Sequence, residues 1–492
     1  MKFTMHRRFS RAPFTLLLLL LVSPSAHAQL DTGPFPRFMG DNYNNGLSTY
    51  SGPTISNPVF TATATAYGQS VPSVASNGKV VIAGAGANGY VDCFSSTGSL
   101  IWTTQKQTNP TFASTYGTPT NYPPAIGKEG TVDVVYVTTY TSGGPAGIVA
   151  LKLNAAGPGP SVKWSYIMST GFPSWTPYFS PVVGPDGTVY TAGGNLTDAS
   201  GDQKMYAFQS GTLKWTWGGP GATMDGTNIA SQTEPILWTD GTNNYILLCG
   251  IINIGPQNGF YTNTIRVLVI KDSGTSGILE DDFKFPLYFK QFAGDHYGEY
   301  TMNGDPSLSP DGGSLIIPWC YSGTSVTGNE YGIACLSFSG GVVNGNWPSA
   351  IFTNPAYDPP PSSFVDATIT NGSNPYHYCA AIDSSGVYST NALGTAMFKR
   401  DLSTGNLDWT TSLPGGAIAG ADPALDSNNK IWITGHASSV FKLDTSTGNP
   451  TTFTNTSYTI FGDGLAIGYN SNVWMAATTT DGTNTKKLLR LK

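Results

Sequence analysis

The chain has 492 residues, of which 39% are hydrophobic, 12% aromatic and only 11% charged, and 59 are glycine. This length would ordinarily indicate two or three domains, but the low charge and the abundance of Gly, Thr, Ser, Asn and aromatic residues are typical of one large all-β fold. The formal net charge is −6 and no Lys/Arg cluster is present, which argues against nucleic acid or anionic lipid as a partner.

The first 28 residues have the pattern of a secretory signal peptide. Four basic residues precede an apolar run at 14–22, and a small-residue site follows at Ala26-His27-Ala28. We expect cleavage before Gln29 and export to the periplasm or the cell exterior. The apolar run is about half of the ~20 residues that a membrane-spanning helix needs. No cysteine follows the cleavage site, so we expect neither a membrane span nor a lipid anchor.

A four-strand unit repeats from about residue 71 to the end of the chain. Copies of its first half are residues 72–84 (PSVASNGKVVIAG), 181–193 (PVVGPDGTVYTAG) and 423–435 (PALDSNNKIWITG). Copies of its second half are residues 90–104 (YVDCFSSTGSLIWTT), 205–215 (MYAFQSGTLKW) and 397–411 (MFKRDLSTGNLDWTT). Such a repeat predicts a single β-propeller of four-stranded blades.

Eight blades are predicted, with seven as the alternative. Their inner strands begin near Val71, Pro123, Ser180, Glu234, Asp305, Asp366, Asp422 and Asp463. Aromatic residues mark seven outer strands: Trp102, Trp164, Trp215, Phe283, Trp347, Trp409 and Phe453. The alternating segment 58–66 supplies the missing outer strand, so it should complete the last blade and close the ring. The domains are then the signal peptide 1–28, a lead-in segment 29–57 and the propeller 58–492.

The long loops of the ring should gather on one face and carry the binding site. Loops enter inner strands at 108–122, 169–178, 286–303 and 353–364, and further loops join second to third strands at 252–264 and 321–331. Aromatic residues in the first set suit a sugar ring or a protein partner equally well. The ligand-binding candidates are Tyr116, Trp175, Tyr178, Tyr300 and Tyr357, with Tyr122 and Tyr297 in the same loops.

An acidic residue opens the inner strand in five successive predicted blades. These residues are Glu234, Asp305, Asp366, Asp422 and Asp463. If they converge at the channel mouth they form a site for a hard cation such as Ca²⁺. The alternative, which a shared repeat position favours, is that each carboxylate caps backbone N–H groups of the neighbouring strand.

Catalytic candidates are few. His296 lies in a loop with Tyr297 and Glu299, a set that suits a general acid or base in a polysaccharide lyase or hydrolase. The alternative is a loop histidine with ordinary hydrogen bonds. The sequence contains no HExxH, GxSxG, CxxC or CxxCH motif.

The five cysteines leave one pairing open. Cys320 and Cys335 flank a predicted hairpin loop, where either a disulfide or two free thiols fits the sequence. The other three should pack as small buried hydrophobic residues.

The repeats, together with residues 35–42 (FPRFMGDN), resemble the PQQ-binding-like β-propeller superfamily, which includes quinoprotein alcohol dehydrogenases and the outer-membrane β-barrel assembly lipoprotein. Residues 401–409 (DLSTGNLDW) are similar to its tryptophan-docking pattern, which implies that Trp409 packs between neighbouring sheets while a Thr-Gly turn closes a hairpin. The vicinal disulfide of the quinoproteins has no counterpart here and no haem motif is present, so the resemblance does not by itself imply a PQQ cofactor.

Taken together, these observations predict an exported, non-catalytic and monomeric propeller that binds a protein or glycan through its long-loop face. A polysaccharide-acting enzyme with its site at the channel mouth is the alternative, and a PQQ-dependent dehydrogenase is the second alternative.

Overall fold

The computed structural model describes residues 28–492 with gaps. The gaps are 34–36, 38, 55–58, 66–69, 85–89, 106–111, 121, 141–145, 156–158, 170–178, 193–203, 219–228, 232, 258–259, 286–298, 303, 323–328, 349–364, 370–378, 392–393, 416–420 and 436–437. The predicted signal peptide therefore lies outside the described residues except for Ala28.

The described residues form an all-β fold in which one short helix, α1 (Phe112–Tyr116), interrupts 37 strands. Two strands precede the first blade: β1 (Ala28–Leu30) and β2 (Phe60–Thr65).

The strands of the first four blades follow in chain order. Blade one comprises β3 (Ser73–Val74), β4 (Val80–Gly84), β5 (Tyr90–Phe94) and β6 (Leu100–Thr103). After β7 (Thr118–Pro119), blade two comprises β8 (Ala125–Glu129), β9 (Val132–Tyr140), β10 (Ala146–Lys152) and β11 (Ser161–Ser169). Blade three comprises β12 (Val182–Val183), β13 (Thr188–Ala192), β14 (Met205–Gln209) and β15 (Thr212–Trp217). Blade four comprises β16 (Ile229–Ser231), β17 (Ile236–Thr239), β18 (Asn244–Gln257), β19 (Phe260–Asp272) and β20 (Gly277–Lys284).

The remaining four blades complete the ring. Blade five comprises β21 (Glu299–Met302), β22 (Ser307–Leu308), β23 (Ser314–Ser322), β24 (Asn329–Ser339), β25 (Val342–Trp347) and β26 (Val365–Ile369). Blade six comprises β27 (Ala381–Asp383), β28 (Gly386–Thr390), β29 (Ala396–Arg400) and β30 (Leu407–Ser412). Blade seven comprises β31 (Ala424–Leu425), β32 (Lys430–Thr434), β33 (Ser439–Asp444) and β34 (Pro450–Thr454). Blade eight comprises β35 (Tyr458–Gly468), β36 (Asn472–Thr479) and β37 (Lys486–Leu491).

Each blade is an antiparallel meander, and the hydrophobic core lies between the blades. One buried cluster joins Val91 of blade one to Val135 of blade two, and another joins Tyr190 of blade three to Leu248 of blade four. Because both faces of each sheet pack on a neighbour, the middle strands read as continuous apolar runs such as VVIAG in β4, every residue of which is buried. The predicted eight-bladed propeller is confirmed.

The ring closes through the two ends of the propeller. Strand β2 pairs antiparallel with β37, with Phe60 opposite Leu491, and so becomes the outer strand of blade eight. The prediction that the segment 58–66 completes the last blade is confirmed. This closure removes the sheet edges that an incomplete last blade would leave.

The docking of Trp409 follows the predicted pattern. Its indole Nε1 donates a hydrogen bond of 3.1 Å to the carbonyl oxygen of Thr445 in the next blade. In that blade, Gly448 (φ +70°) lies so close to the ring that a Cβ would be 2.8 Å from it. Trp102 and Trp347 make the same bond to Leu153 and Leu402 of their next blades. These three tryptophans each fasten their own sheet to the following one.

Two regions differ from the sequence prediction. In the segments 252–264 and 321–331, which the sequence predicts as loops, the described residues continue the strands: β18 and β19 pair as far as Gln257 and Phe260, and β23 and β24 pair as far as Ser322 and Asn329. Asp366 does not open an inner strand: it lies in β26, which pairs with β24, while the inner strand of blade six is β27. Blade five thus contains an additional strand that resembled the start of a new blade.

None of the five cysteines forms a disulfide, and all five are buried. In the register of blade five, Cys320 lies opposite Tyr331 and Cys335 lies opposite Ile316. The two sulfur atoms are therefore on different rungs of the ladder, and the disulfide alternative is wrong.

Candidate functional site

The two faces of the ring differ in what covers them. Inner strands run from the face where blades are entered, here called the loop face, to the face of the tight turns between first and second strands, here called the turn face. On the turn face, blade three has the turn that follows Val183 and blade seven has the turn that follows Leu425. The described parts of the extended hairpins β18–β19 and β23–β24 lie at the loop face.

The turn-face end of the channel is occupied by the chain's own N-terminal part. We call residues 28–53 the strap. Its Asp31 carboxylate accepts the N–H and hydroxyl of Ser76 in blade one, at 2.6 and 2.7 Å, and β1 pairs with β8 of blade two. It then passes the other blades in order and reaches blade eight, where the hydroxyl oxygens of Ser51 and Ser471 are hydrogen-bonded at 3.0 Å.

In five successive blades the strap accepts a hydrogen bond from the equivalent backbone N–H group of the inner strand. The donors are the N–H groups of the second inner-strand residue, here called the donor ring: Val183, Leu237, Leu308, Ile382 and Leu425. The Asn42 side chain accepts from Val183 at 3.5 Å and donates to its carbonyl at 2.7 Å. The acceptors for the other four are the carbonyl oxygens of Asn42, Tyr43, Asn45 and Gly46, at 2.7–2.9 Å. Among the described residues no strand pairs with the inner edge of these five blades, so these N–H groups would otherwise lack a protein partner.

The strap can turn this tightly because several residues adopt left-handed conformations. Met39, Gly40, Asn44 and Gly46 have φ values of 50°, 90°, 53° and 70°. Asn and Gly tolerate this region best. A Cβ on Gly46 would also lie 2.8 Å from the carbonyl oxygen of Pro423, so the close approach to blade seven requires glycine.

The candidate carboxylates lie further into the channel, toward the loop face, and accept hydrogen bonds from backbone N–H groups. Glu234 accepts the N–H of Ser180 at 2.7 Å, and Asp305 accepts the N–H of Glu234 at 2.6 Å. Asp422 accepts the N–H of Cys379 at 3.1 Å. Each carboxylate therefore binds the opening residue of the preceding blade, which is the geometry of the capping alternative.

Cys379 stands where the sequence prediction had placed Asp366. Its thiol donates a hydrogen bond of 3.7 Å to the Asp305 carboxylate, and its sulfur accepts from the backbone N–H of Asp305. Burial, with the charges of Asp422 and Asp305, raises the pKa of this thiol well above its usual range. A neutral thiol thus continues the chain of caps without adding another charge.

A buried arginine links the strap to these carboxylates. Arg37 has 0% exposure, and its Nη2 lies 4.0 Å from the Glu234 carboxylate. Its Nη1 donates to Asn44 Oδ1 at 2.6 Å and to the carbonyl of Asp41 at 2.9 Å. Burial lowers the pKa of Arg37 to about 10, against the charges of Glu234, Asp41 and Asp305, so the guanidinium stays protonated at neutral pH.

The acidic groups around Arg37 have raised pKa values. Burial raises the pKa of Asp41 to about 6, although Arg37 and the Tyr43 N–H oppose the shift. Burial and the charge of Asp305 raise the pKa of Glu234 well above its usual range. The single guanidinium therefore lies among more acidic groups than it can neutralise.

Metal binding by the acidic residues stays a prediction. Within the part of the chain that the structure describes, no group of three or more His, Cys, Asp or Glu side chains has a geometry that could hold a metal ion. Asp463 lies in β35, but its side chain is outside the described part.

The aromatic candidates are only partly described. Tyr116 ends α1 and contacts Phe112 at a ring-centroid distance of 5.1 Å. Tyr122 packs on Phe179 at 5.4 Å, and burial and the charges of Glu234 and Asp305 raise its pKa. Trp175, Tyr178 and Tyr357 lie outside the described residues, and Tyr300 is placed by its backbone in β21.

The predicted catalytic set cannot be assembled from the described residues. His296 and Tyr297 lie outside them, while Glu299 begins β21 and pairs with Ser322. The enzyme alternative rests on these positions and stays a prediction.

Additional strands extend blades four and five at the loop face. Above the inner strand of blade four, β16 pairs with residues 250–252 of β18. In blade five, β21 pairs with residues 319–322 of β23, and β26 pairs with residues 329–332 of β24. These additional strands form a second tier beyond the four-stranded blades, and in blade two the short β7 likewise pairs with residues 139–140 at the loop-face end of β9.

A cavity of about 270 Å³ lies on the turn face beside the strap. Its lining residues are Leu30, Asn42, Tyr43, Val183, Pro185, Leu237 and Thr239. Among the described residues, no helix is long and apolar enough to cross a membrane.

Comparisons with known proteins give similarity of fold. No family model matches the chain, and no curated protein matches it in sequence. Among solved structures, the chain is similar to BamB from Moraxella catarrhalis, with 12% identity, a TM-score of 0.46, and 88% of this chain and 100% of that one covered. It is also similar to the Dos1 propeller, with 12% identity, a TM-score of 0.48, and coverages of 88% and 95%.

A third similar structure is the quinohemoprotein alcohol dehydrogenase from Comamonas testosteroni, with 12% identity, a TM-score of 0.40, and coverages of 93% and 80%. At these values the similarity indicates nothing about a ligand or partner, and the strand order given above is what defines the fold.

The role of the strap was missed from sequence. A signal was present in residues 40–46 (GDNYNNG), whose Asn and Gly residues favour left-handed turns. Combined with the unpaired inner edges that any propeller presents to its channel, this segment could have been identified as their partner.

Proposed function

We propose that this chain is an exported, non-catalytic propeller that binds a protein or glycan through its loop face, as a monomer in the periplasm or outside the cell. One observation carries the proposal: the strap closes the turn-face end of the channel, while a second tier of strands raises the loop face over blades four and five. Elaboration beyond the four-stranded blade on one face is typical of a binding surface built on a rigid scaffold.

The chemistry of the channel supports binding rather than turnover. Glu234, Asp305 and Asp422 each hold a backbone N–H of the preceding blade. A general acid or base has to be within reach of a substrate proton. These three carboxylates are instead engaged in holding adjacent blades together.

The test compares two faces of the same protein. One variant replaces residues 254–262 by Asn-Gly, which shortens the β18–β19 hairpin while Asn253 and Asn263 remain paired. The matched control is Leu100→Glu, at the turn-face start of β6, where the side chain is 42% exposed. Both variants and the wild type are probed on a glycan array and by cross-linking in the producing cell.

We expect the hairpin variant to lose a glycan or cross-linked protein that the wild type and Leu100→Glu retain. Equal capture by all three, or loss in Leu100→Glu alone, would refute the assignment to the loop face. Release of product from a polysaccharide panel, abolished by His296→Ala, would replace the proposal by the enzyme alternative.

A further inference from the structure

The contacts between the strap and the ring resemble those between a peptide ligand and its binding site. Its contacts are concentrated on one repeated group, the donor ring, and the acceptors lie within the short segment 42–46. A single curled peptide satisfies the donor ring of five blades at once, because four of its carbonyl groups and the side chain of Asn42 accept these hydrogen bonds in blade order.

Shape complementarity restricts which peptide fits. Gly46 has no room for a Cβ beside Pro423, and at Gly52 a Cβ would lie 2.4 Å from the indole nitrogen of Trp432. In contrast, Thr49 of the same segment is exposed. The ring therefore fits only a peptide with glycine at these two positions, and it leaves at least the side chain of Thr49 exposed to solvent.

Charge complementarity adds a second requirement. The ring contributes the buried carboxylate of Glu234, with Asp305 next to it, and the strap contributes the guanidinium of Arg37. A buried carboxylate needs a charged or hydrogen-bonding partner to offset its desolvation. A peptide without a cation at this position would leave Glu234 without that compensation.

We propose that the turn-face end of the channel is a peptide-binding site and that the strap is its tethered ligand. The class of ligand is a peptide loop in which an arginine precedes a left-handed turn that presents successive carbonyl groups. The site is on the face opposite to the proposed partner surface, so the two proposals can fail independently.

The test uses the full chain with a protease recognition sequence in place of residues 55–58, cleaved after folding. The cut separates the strap from β2 and leaves the rest of the ring intact. We expect the strap to remain bound after cleavage and to exchange with an excess of labelled synthetic peptide 28–53. The melting temperature should fall when the strap is washed out and recover when the peptide is added, as mass action requires.

Peptide variants then test the recognition without changing the fold of the protein. Arg37→Gln and Gly46→Ala are each expected to weaken binding at least about tenfold, which corresponds to ~1.4 kcal/mol. Thr49→Ala is the matched control and should bind as the natural peptide does. A scrambled peptide that binds equally well would overturn the proposal. So would a cleaved strap that never exchanges, or a ring that unfolds irreversibly when the strap leaves, because the strap would then be a permanent part of the core.

Discussion

Replacing Arg37 by methionine tests whether the strap is anchored by charge. The side chain of Met fills much of the same space but leaves the Glu234 carboxylate, whose side chain is 3% exposed, without its cation. Removing one partner of a buried ion pair costs about 3–5 kcal/mol. We expect a loss of that size in the free energy of unfolding at pH 7.

The double variant identifies the source of this loss. In Glu234→Gln the side-chain oxygen can still accept the Ser180 N–H, while the negative charge is gone. If the cost of Arg37→Met comes from the uncompensated carboxylate, Arg37→Met in the Glu234→Gln background should cost at least about 1.5 kcal/mol less than in the wild type.

The assay is chemical denaturation of the four proteins of this cycle, repeated at pH 5 and pH 7. Because burial raises the pKa of Glu234, protonation at the lower pH should reduce the cost of Arg37→Met. Single-variant effects that add to within about 0.5 kcal/mol at both pH values would refute the reasoning. The 4.0 Å contact would then be spatial proximity without energetic coupling.

Three other outcomes are expected. Burial raises the pKa of Asp41 from 3.8 to about 6, so the folded state binds this proton more readily than the unfolded state does. The free energy of unfolding should therefore rise as the pH falls from 7 to 4, by up to about 3 kcal/mol. Thermal melts of Asp41→Asn should show a smaller dependence on pH. Gly448→Ala should cost more than Gly482→Ala, by about 1–2 kcal/mol, since both have positive φ but only the first meets a tryptophan ring; equal melting temperatures would contradict the docking. Titration with a thiol reagent should find no reactive thiol in the native protein and five after denaturation, whereas three would indicate a Cys320–Cys335 disulfide.

The sequence was sufficient for the fold because the repeat fixes it locally. Each blade carries its own turn glycine and outer-strand aromatic, so eight blades and the pairing of β2 with β37 could be predicted without any long-range information. Trp409 illustrates this: its packing depends on a motif within nine residues of its own position and on a glycine at the same place in the next repeat.

The candidate site was less predictable because it departs from the repeat. Asp366 has the sequence context of an opening residue, yet it lies in an additional strand of blade five, and Cys379 occupies the position instead. The strap contains no repeat at all, and its partners are spread from Ser76 to Ser471. Periodicity cannot reveal a segment whose conformation depends on eight distant edges.

The pairing of β2 with β37 also determines when the ring can form. Phe60 precedes all eight blades, whereas its partner Leu491 lies in the last strand of the eighth blade. Seven blades consist of contacts close in sequence and can form as the chain emerges, but the eighth has to wait until β37 has been made, after closure of a very long loop. Until then the outer edge of β36 and the strand β2 both remain unpaired. A chain interrupted anywhere before residue 486 would therefore retain an open ring, and incomplete copies could pair with each other at these edges.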